Sequence, residues 1–199
     1  VGAVESQYQT WLWYDNPYYK DNTNLYNGRI SYYGVVYDDV LLRFDQLKQC
    51  VVVLPPGEKV FCVPDQAHID WFEMDGRRYV HDPEDSSRYA SLLSSVPALA
   101  SDQMPSGEGN TNDIRLYYSE WKILNGYKIV VGDKRAVMTL RTEKYYSLMT
   151  PDGKMHRVKR ASDIAKLFPE QKKQIKQFAR KNHLSFSESE REKSLVKVR

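Results

Sequence analysis

The sequence predicts an α+β fold that is mainly β: an antiparallel meander forming a curved sheet or barrel-like body, followed by two to three C-terminal helices. Three observations carry the prediction. Short aromatic and β-branched runs recur between turn residues from Gly28 to Thr150, the composition of half-buried strands. Two of the intervening turns, at Pro56-Gly57 and Asp75-Gly76, have the residues that tight antiparallel connections favour. Beyond Lys154 the apolar residues recur at helical spacing and the charge changes sign.

A chain of 199 residues, 41% of them hydrophobic, is long enough for one ample domain or a domain with an appendage, and is not wholly disordered. No run of about 18 apolar residues occurs, so the sequence holds no candidate membrane-spanning helix. It starts at Val1 and not Met, as a mature form does after signal removal and as a trimmed chain does too. From residue 154 onward there are 14 Lys and Arg against 5 Asp and Glu, a net +9, so residues 1–153 carry −6 of the overall +3. The chain thus divides into a β-rich body, 1–153, and a basic helical segment, 154–199, packed on it. Such a segment suits contact with nucleic acid or an anionic surface, or docking on its own acidic body.

Tyrosine crowds the start, with Trp11 and Trp13 among the tyrosines that precede residue 40. The strands then read in order as "RISYYGVVYD", "VLLRFD", "CVVVLP", "KVFCVP", "HIDWFEM" and "RRYVHD". From 82 to 114 the pattern lapses into an exposed loop or insertion, with a short helix over Tyr89, Leu92 and Leu93 and a polar stretch "SDQMPSGEGNTND". Strands resume with "RLYYSEWKIL", "GYKIVVGD", "RAVMTLRT" and "KYYSLMT", and "PDGK" makes a turn. In the tail, Ile164, Leu167, Phe168, Ile175, Phe178 and Ala179 share a helical face, with Pro169 suited to the first position of a new helix. "SESE" at 187–190 has a capping-box pattern ahead of a last helix ending near Val198.

Cys50 and Cys62 are the only cysteines. A hairpin centred on Pro56 places them opposite one another, close enough for a cross-strand disulfide. A shift of one residue puts them on opposite faces, and two buried thiols then remain. Two cysteines without further ligands at finger-like spacing do not make a zinc site.

The candidate chemistry is sparse. The Asp75-Gly76 turn places Asp70 opposite His81, a pair that general-base chemistry uses, and "HDPED" beside it offers oxygen and nitrogen ligands to a cation. This supports a metal-dependent hydrolase as one reading and a solvated acidic loop as the plainer one. No nucleophile elbow, zinc-helix, P-loop or dinucleotide motif occurs, and no cofactor or catalytic residue is assigned. "YQTWLWYDNPYY" holds residues that stack on sugars or anchor interfaces, so Trp11, Trp13 and Tyr14 are candidates for contact with a protein or glycan, unless they alternate into the core. Lys172, Lys173 and Lys176, among the lysines and arginines on the polar sides of the tail helices, are the candidates for anionic contact.

The ending "VKRASDIAKLFPEQKKQIKQFARKNHLSFSESEREKSLVKV", with "KYYSLMTPDGKMHRV" and "NGRISYYGVVYDDVLLRFDQLKQCVVV" upstream, resembles an uncharacterised family of exported β-rich proteins common in Bacteroidetes. The likeness spans most of 16–198, and 82–114 departs from it. It implies a periplasmic, secreted or envelope location after signal cleavage, and with it a Cys50–Cys62 disulfide. It brings no catalytic residues. The expected function is therefore a non-enzymatic envelope or secreted binding protein with a protein or glycan partner; nucleic-acid or anionic-surface binding through the tail, and a hydrolase at Asp70 and His81, are the alternatives.

Overall fold

The computed structural model describes residues 3–4, 13–97, 113–130, 132 and 135–198. The protein is mainly β. Its strands are β1 (Ala3–Val4), β2 (Tyr26–Tyr32), β3 (Val35–Asp45), β4 (Cys50–Leu54), β5 (Cys62–Val63), β6 (Ile69–Met74), β7 (Arg77–Asp82), β8 (Asp85–Pro97), β9 (Asp113–Ile129), β10 (Ala136–Met149) and β11 (Met155–Arg157). They are hydrogen-bonded in the order β1-β5-β4-β3-β2-β6-β7-β8-β9-β10-β11, so the series has two edges and does not close into a barrel. Three helices follow: α1 (Ala161–Leu167), α2 (Lys172–Lys181) and α3 (Arg191–Val198). The chain forms two compact units, one of Val1–Ala90 with Glu120–Lys144 and one of Ser91–Ser119 with Tyr145–Arg199.

In the first unit, the meander is set by its turns. Asp75 and Gly76 both have positive φ, and Phe72 pairs with Tyr79 and Met74 with Arg77, the register that the Asp-Gly signal predicts. A second tight turn falls at Tyr33-Gly34, φ 52° and 71°, inside the run read as a single strand. Asp70 Oδ2 accepts the Gly34 N–H at 3.2 Å and the Ser31 hydroxyl at 2.6 Å, which ties this turn down. Gly28 sits where a Cβ would lie 2.0 Å from the Glu73 carbonyl oxygen, so β2 and β6 approach this closely only with glycine there.

The strand period fills the core of the first unit. Val40, Leu42 and Phe44 alternate inward from β3 onto Ile30, Val51, Ile69, Phe72, Met74, Tyr79 and Tyr89. Phe72 and Tyr79, cross-strand partners, stack with centroids 4.8 Å apart, and Phe44 and Tyr89 close on Phe72 at 5.5 and 5.1 Å. Desolvation in this cluster raises the phenol pKa of Tyr79 and Tyr89. Lys122, 4% exposed, reaches the Asn16 and Tyr18 carbonyls, each at 2.7 Å, and Asp21 at 2.6 Å, which fixes the segment ahead of β2.

Three expectations are corrected here. Cys62 pairs with Val53, whereas Cys50 pairs with Asp45, and no disulfide joins the cysteines. The turn is closed by the Glu58 N–H on the Pro55 carbonyl, and the residues after it carry the returning strand three positions out of the expected register. Three residues along a strand is about 10 Å, beyond a disulfide's reach. Residues 85–97 form β8 and not a loop with a short helix, with Tyr89, Ala90 and Ser91 buried in a row and the strand hydrogen-bonded between β7 and β9. The polar stretch "SDQMPSGEGNTN" lies outside the described residues. Finally, β9 runs unbroken through Gly126 and β10 through Glu143, where two strands each were expected.

In the second unit, Leu116, Leu148, Val158, Ile164, Leu195 and Val198 form an aliphatic core edged by Tyr146. The "PDGK" turn is present, with the Gly153 N–H on the Thr150 carbonyl at 2.8 Å. Asp163 caps α1 by accepting the Lys159 and Arg160 N–H groups. Pro169 opens a short 3-10 turn that leads into α2. That helix ends in a Schellman motif, with Leu184 N–H on the Ala179 carbonyl and His183 N–H on that of Arg180; His183 takes the left-handed φ of 49° usual for glycine. Ile164 is buried, Leu167, Phe168, Ile175 and Ala179 are half-buried, and Phe178 is 44% exposed.

Candidate functional site

The candidates fall at separate places. Trp11 lies outside the described residues. Trp13 is half-buried and bridges Met138 of β10, and the Tyr14 N–H donates to the Met138 carbonyl at 2.9 Å. The Tyr14 ring is 57% exposed, with the Lys128 ammonium 3.9 Å from its centroid. Asp70 and His81 flank opposed strands as expected but are committed elsewhere: Asp70 to Ser31 and Gly34, His81 Nδ1 to the Ser86 carbonyl at 3.0 Å, with its ring stacked on Tyr89. No hydrogen bond joins them. In "HDPED", Asp82 accepts the Glu84 N–H. Asp85, held by Ser87 and Arg88, has its pKa lowered to about 2. Among the described residues no group of three His, Cys, Asp or Glu side chains stands placed to hold a metal ion.

Helix α2 differs from all of these. Its sequence "KKQIKQFARK" has five cations and no acid. Ile175 and Ala179 pack into the aliphatic core, and the helical period then turns Lys173, Lys176, Arg180 and Lys181 away from it, with Lys172 exposed at the start of the helix. Lys173, Lys176, Gln177, Arg180 and Lys181 line one shallow open depression. Some other cations have partners at ion-pair distance, such as Arg160 with Asp163 and Lys193 with Glu190 in the same unit. Lys172, Lys173, Lys176, Arg180 and Lys181 have none among the described residues.

This arrangement costs stability. Lys176 is one turn from Lys172, Lys173 and Arg180, and each like-charge neighbour on a helix is unfavourable by about 0.2–0.5 kcal/mol. Lys172 and Lys173 also sit in the first turn, where the helix dipole disfavours cations and no acid offsets them. The five charges lie within about 15 Å of helix, the length of ten residues. They concentrate a positive field that draws anions.

Two further features escaped the sequence reading. Tyr33, 61% exposed at its turn, stacks on His68 at 4.0 Å, with Tyr32 edge-on at 4.7 Å. Residues so far apart in the chain show no pairing signal. In the second unit an apolar cavity opens beside Phe178, formed from four separate segments.

Comparison with protein-family models, with curated proteins and with solved structures finds no match for the chain.

Proposed function

We propose that the protein is a non-enzymatic binding protein of the periplasm, envelope or extracellular space, and that it holds an anionic protein or glycan against the solvent side of α2. The observation that carries this is the set of five cations on one ten-residue helix without an acidic partner among the described residues. A helix needed only to cover the aliphatic core would be more stable with Glu among those lysines. Resemblance to exported proteins supports the location, and the aromatic side chains of the first unit support a binding role.

Heparin, a sulfated glycan, is the probe. The protein should be retained on immobilised heparin at low salt and released as salt rises. The triple variant Lys172→Glu, Lys173→Glu, Lys176→Glu should pass through. Failure of the native protein to be retained at low salt removes the reading. Retention of duplex DNA in preference to heparin would shift it to nucleic acid.

A second reading, glycan contact through aromatic rings, is favoured by the exposed Tyr33 ring on His68. Tyr33→Ala should weaken retention on a neutral polysaccharide without changing the melting temperature by more than about a degree; unchanged retention would end that reading.

A further inference from the structure

We infer that the second unit holds a binding site for a small amphiphilic carboxylate, in the apolar cavity between α2 and α3. The cavity measures about 220 Å3, larger than the roughly 150 Å3 apolar cavity that takes up benzene. Leu148, Ile164 and Val198 form its buried floor, and Phe168, Ile175 and Phe178 its walls. An apolar body is what such a lining takes.

The rim specifies the other end of the ligand. Gln171, Gln174 and Lys197 line the same cavity and are exposed. None of their side chains has a hydrogen-bond or ion-pair partner among the described residues. Lys193, one turn earlier on α3, is paired with Glu190 at 3.7 Å, whereas Lys197 at the cavity rim is not paired among the described residues. One ammonium and two carboxamides offer donors to an anion, and no acid among the described residues lines the cavity to repel it. A few convergent polar groups at the mouth of an apolar pocket fix orientation, while the pocket supplies contact area. The complementary ligand has a short alkyl or aryl body and a single carboxylate. This site uses the side of α2 away from Lys173 and Lys176, so it stands apart from the proposed anionic face.

Hexanoate tests the proposal, with 1-hexanol as the partner of equal length and no charge. Titration into the whole protein, followed by methyl NMR, should shift the Leu148, Ile164 and Val198 signals with one-to-one saturation. Hexanol should bind at least tenfold more weakly, and Lys197→Gln, an exposed substitution that leaves the core intact, should weaken hexanoate at least tenfold. The Lys172, Lys173 and Lys176 triple variant should bind hexanoate as the native protein does. The proposal is overturned if those methyls do not move, if hexanol binds equally, or if hexanoate binding survives Lys197→Gln and is lost in the triple variant.

Discussion

In the first unit several surface cations are matched: Lys20 to Asp75, Arg29 to Asp38 and Glu73, Arg78 to Glu73, and Arg88 to Asp85. In the second, α2 presents five cations to solvent with no carboxylate among the described residues to meet them. The cores differ as well, the first built on stacked rings and the second on aliphatic side chains that hold helices. Paired charges over an aromatic core are what stability alone would select. Unpaired charge over an aliphatic core is what the proposed binding role would require, a unit that gives up some stability for contact with something outside itself.

The comparison can be broken at several points. Phe72→Ala removes the ring on which Phe44, Tyr79 and Tyr89 converge and is expected to cost about 3–5 kcal/mol in urea unfolding. A loss below about 1 kcal/mol would show that the stack is not the first unit's core. Lys122→Met should cost about 1.5–3 kcal/mol, because the ammonium's bonds to the Asn16 and Tyr18 carbonyls are charge-assisted. Faster hydrogen exchange at the start of the chain would accompany it, and native exchange would contradict the anchoring role.

Smaller effects sharpen the contrast. His183→Gly relieves a left-handed residue at the end of α2 and should raise stability by up to about 1 kcal/mol, read from the denaturation midpoint. Asp85 is held near a pKa of about 2 by Ser87 and Arg88, below the ordinary value of about 3.9. Its contribution is therefore complete above about pH 4 and is lost as pH falls through about 2. A carboxyl titration by NMR with a midpoint near 4 would break that account.

Much of the fold was legible where local chemistry decides structure. The Asp75-Gly76 turn, the β3 alternation of Val40, Leu42 and Phe44, and the apolar face of the tail helices all follow from side-chain period and backbone freedom. What failed depended on other parts of the chain. Tyr33 enters a tight turn because Asp70, on another strand, holds Gly34. The cysteine register depends on the residues after Glu58, whose path carries no period. The strand at 85–97 is rich in serine, and its pairing with neighbours rather than its composition makes it β. For the site, the lysine run was plain in the sequence. That its charges lack partners is a property of the folded chain, as are the stacking of Tyr33 on His68 and the cavity with Lys197 at its rim.

The most direct test of the α2 account combines stability with binding. Thermal unfolding of the native protein and of Lys176→Glu is followed at low salt, with and without heparin. The account expects Lys176→Glu to be at least as stable alone, since it replaces repulsion by pairing with Lys172 and Arg180. Heparin should raise the native melting temperature much more than the variant's. If the variant is less stable alone and heparin moves both proteins equally or not at all, the lysines serve the fold, and the central claim fails.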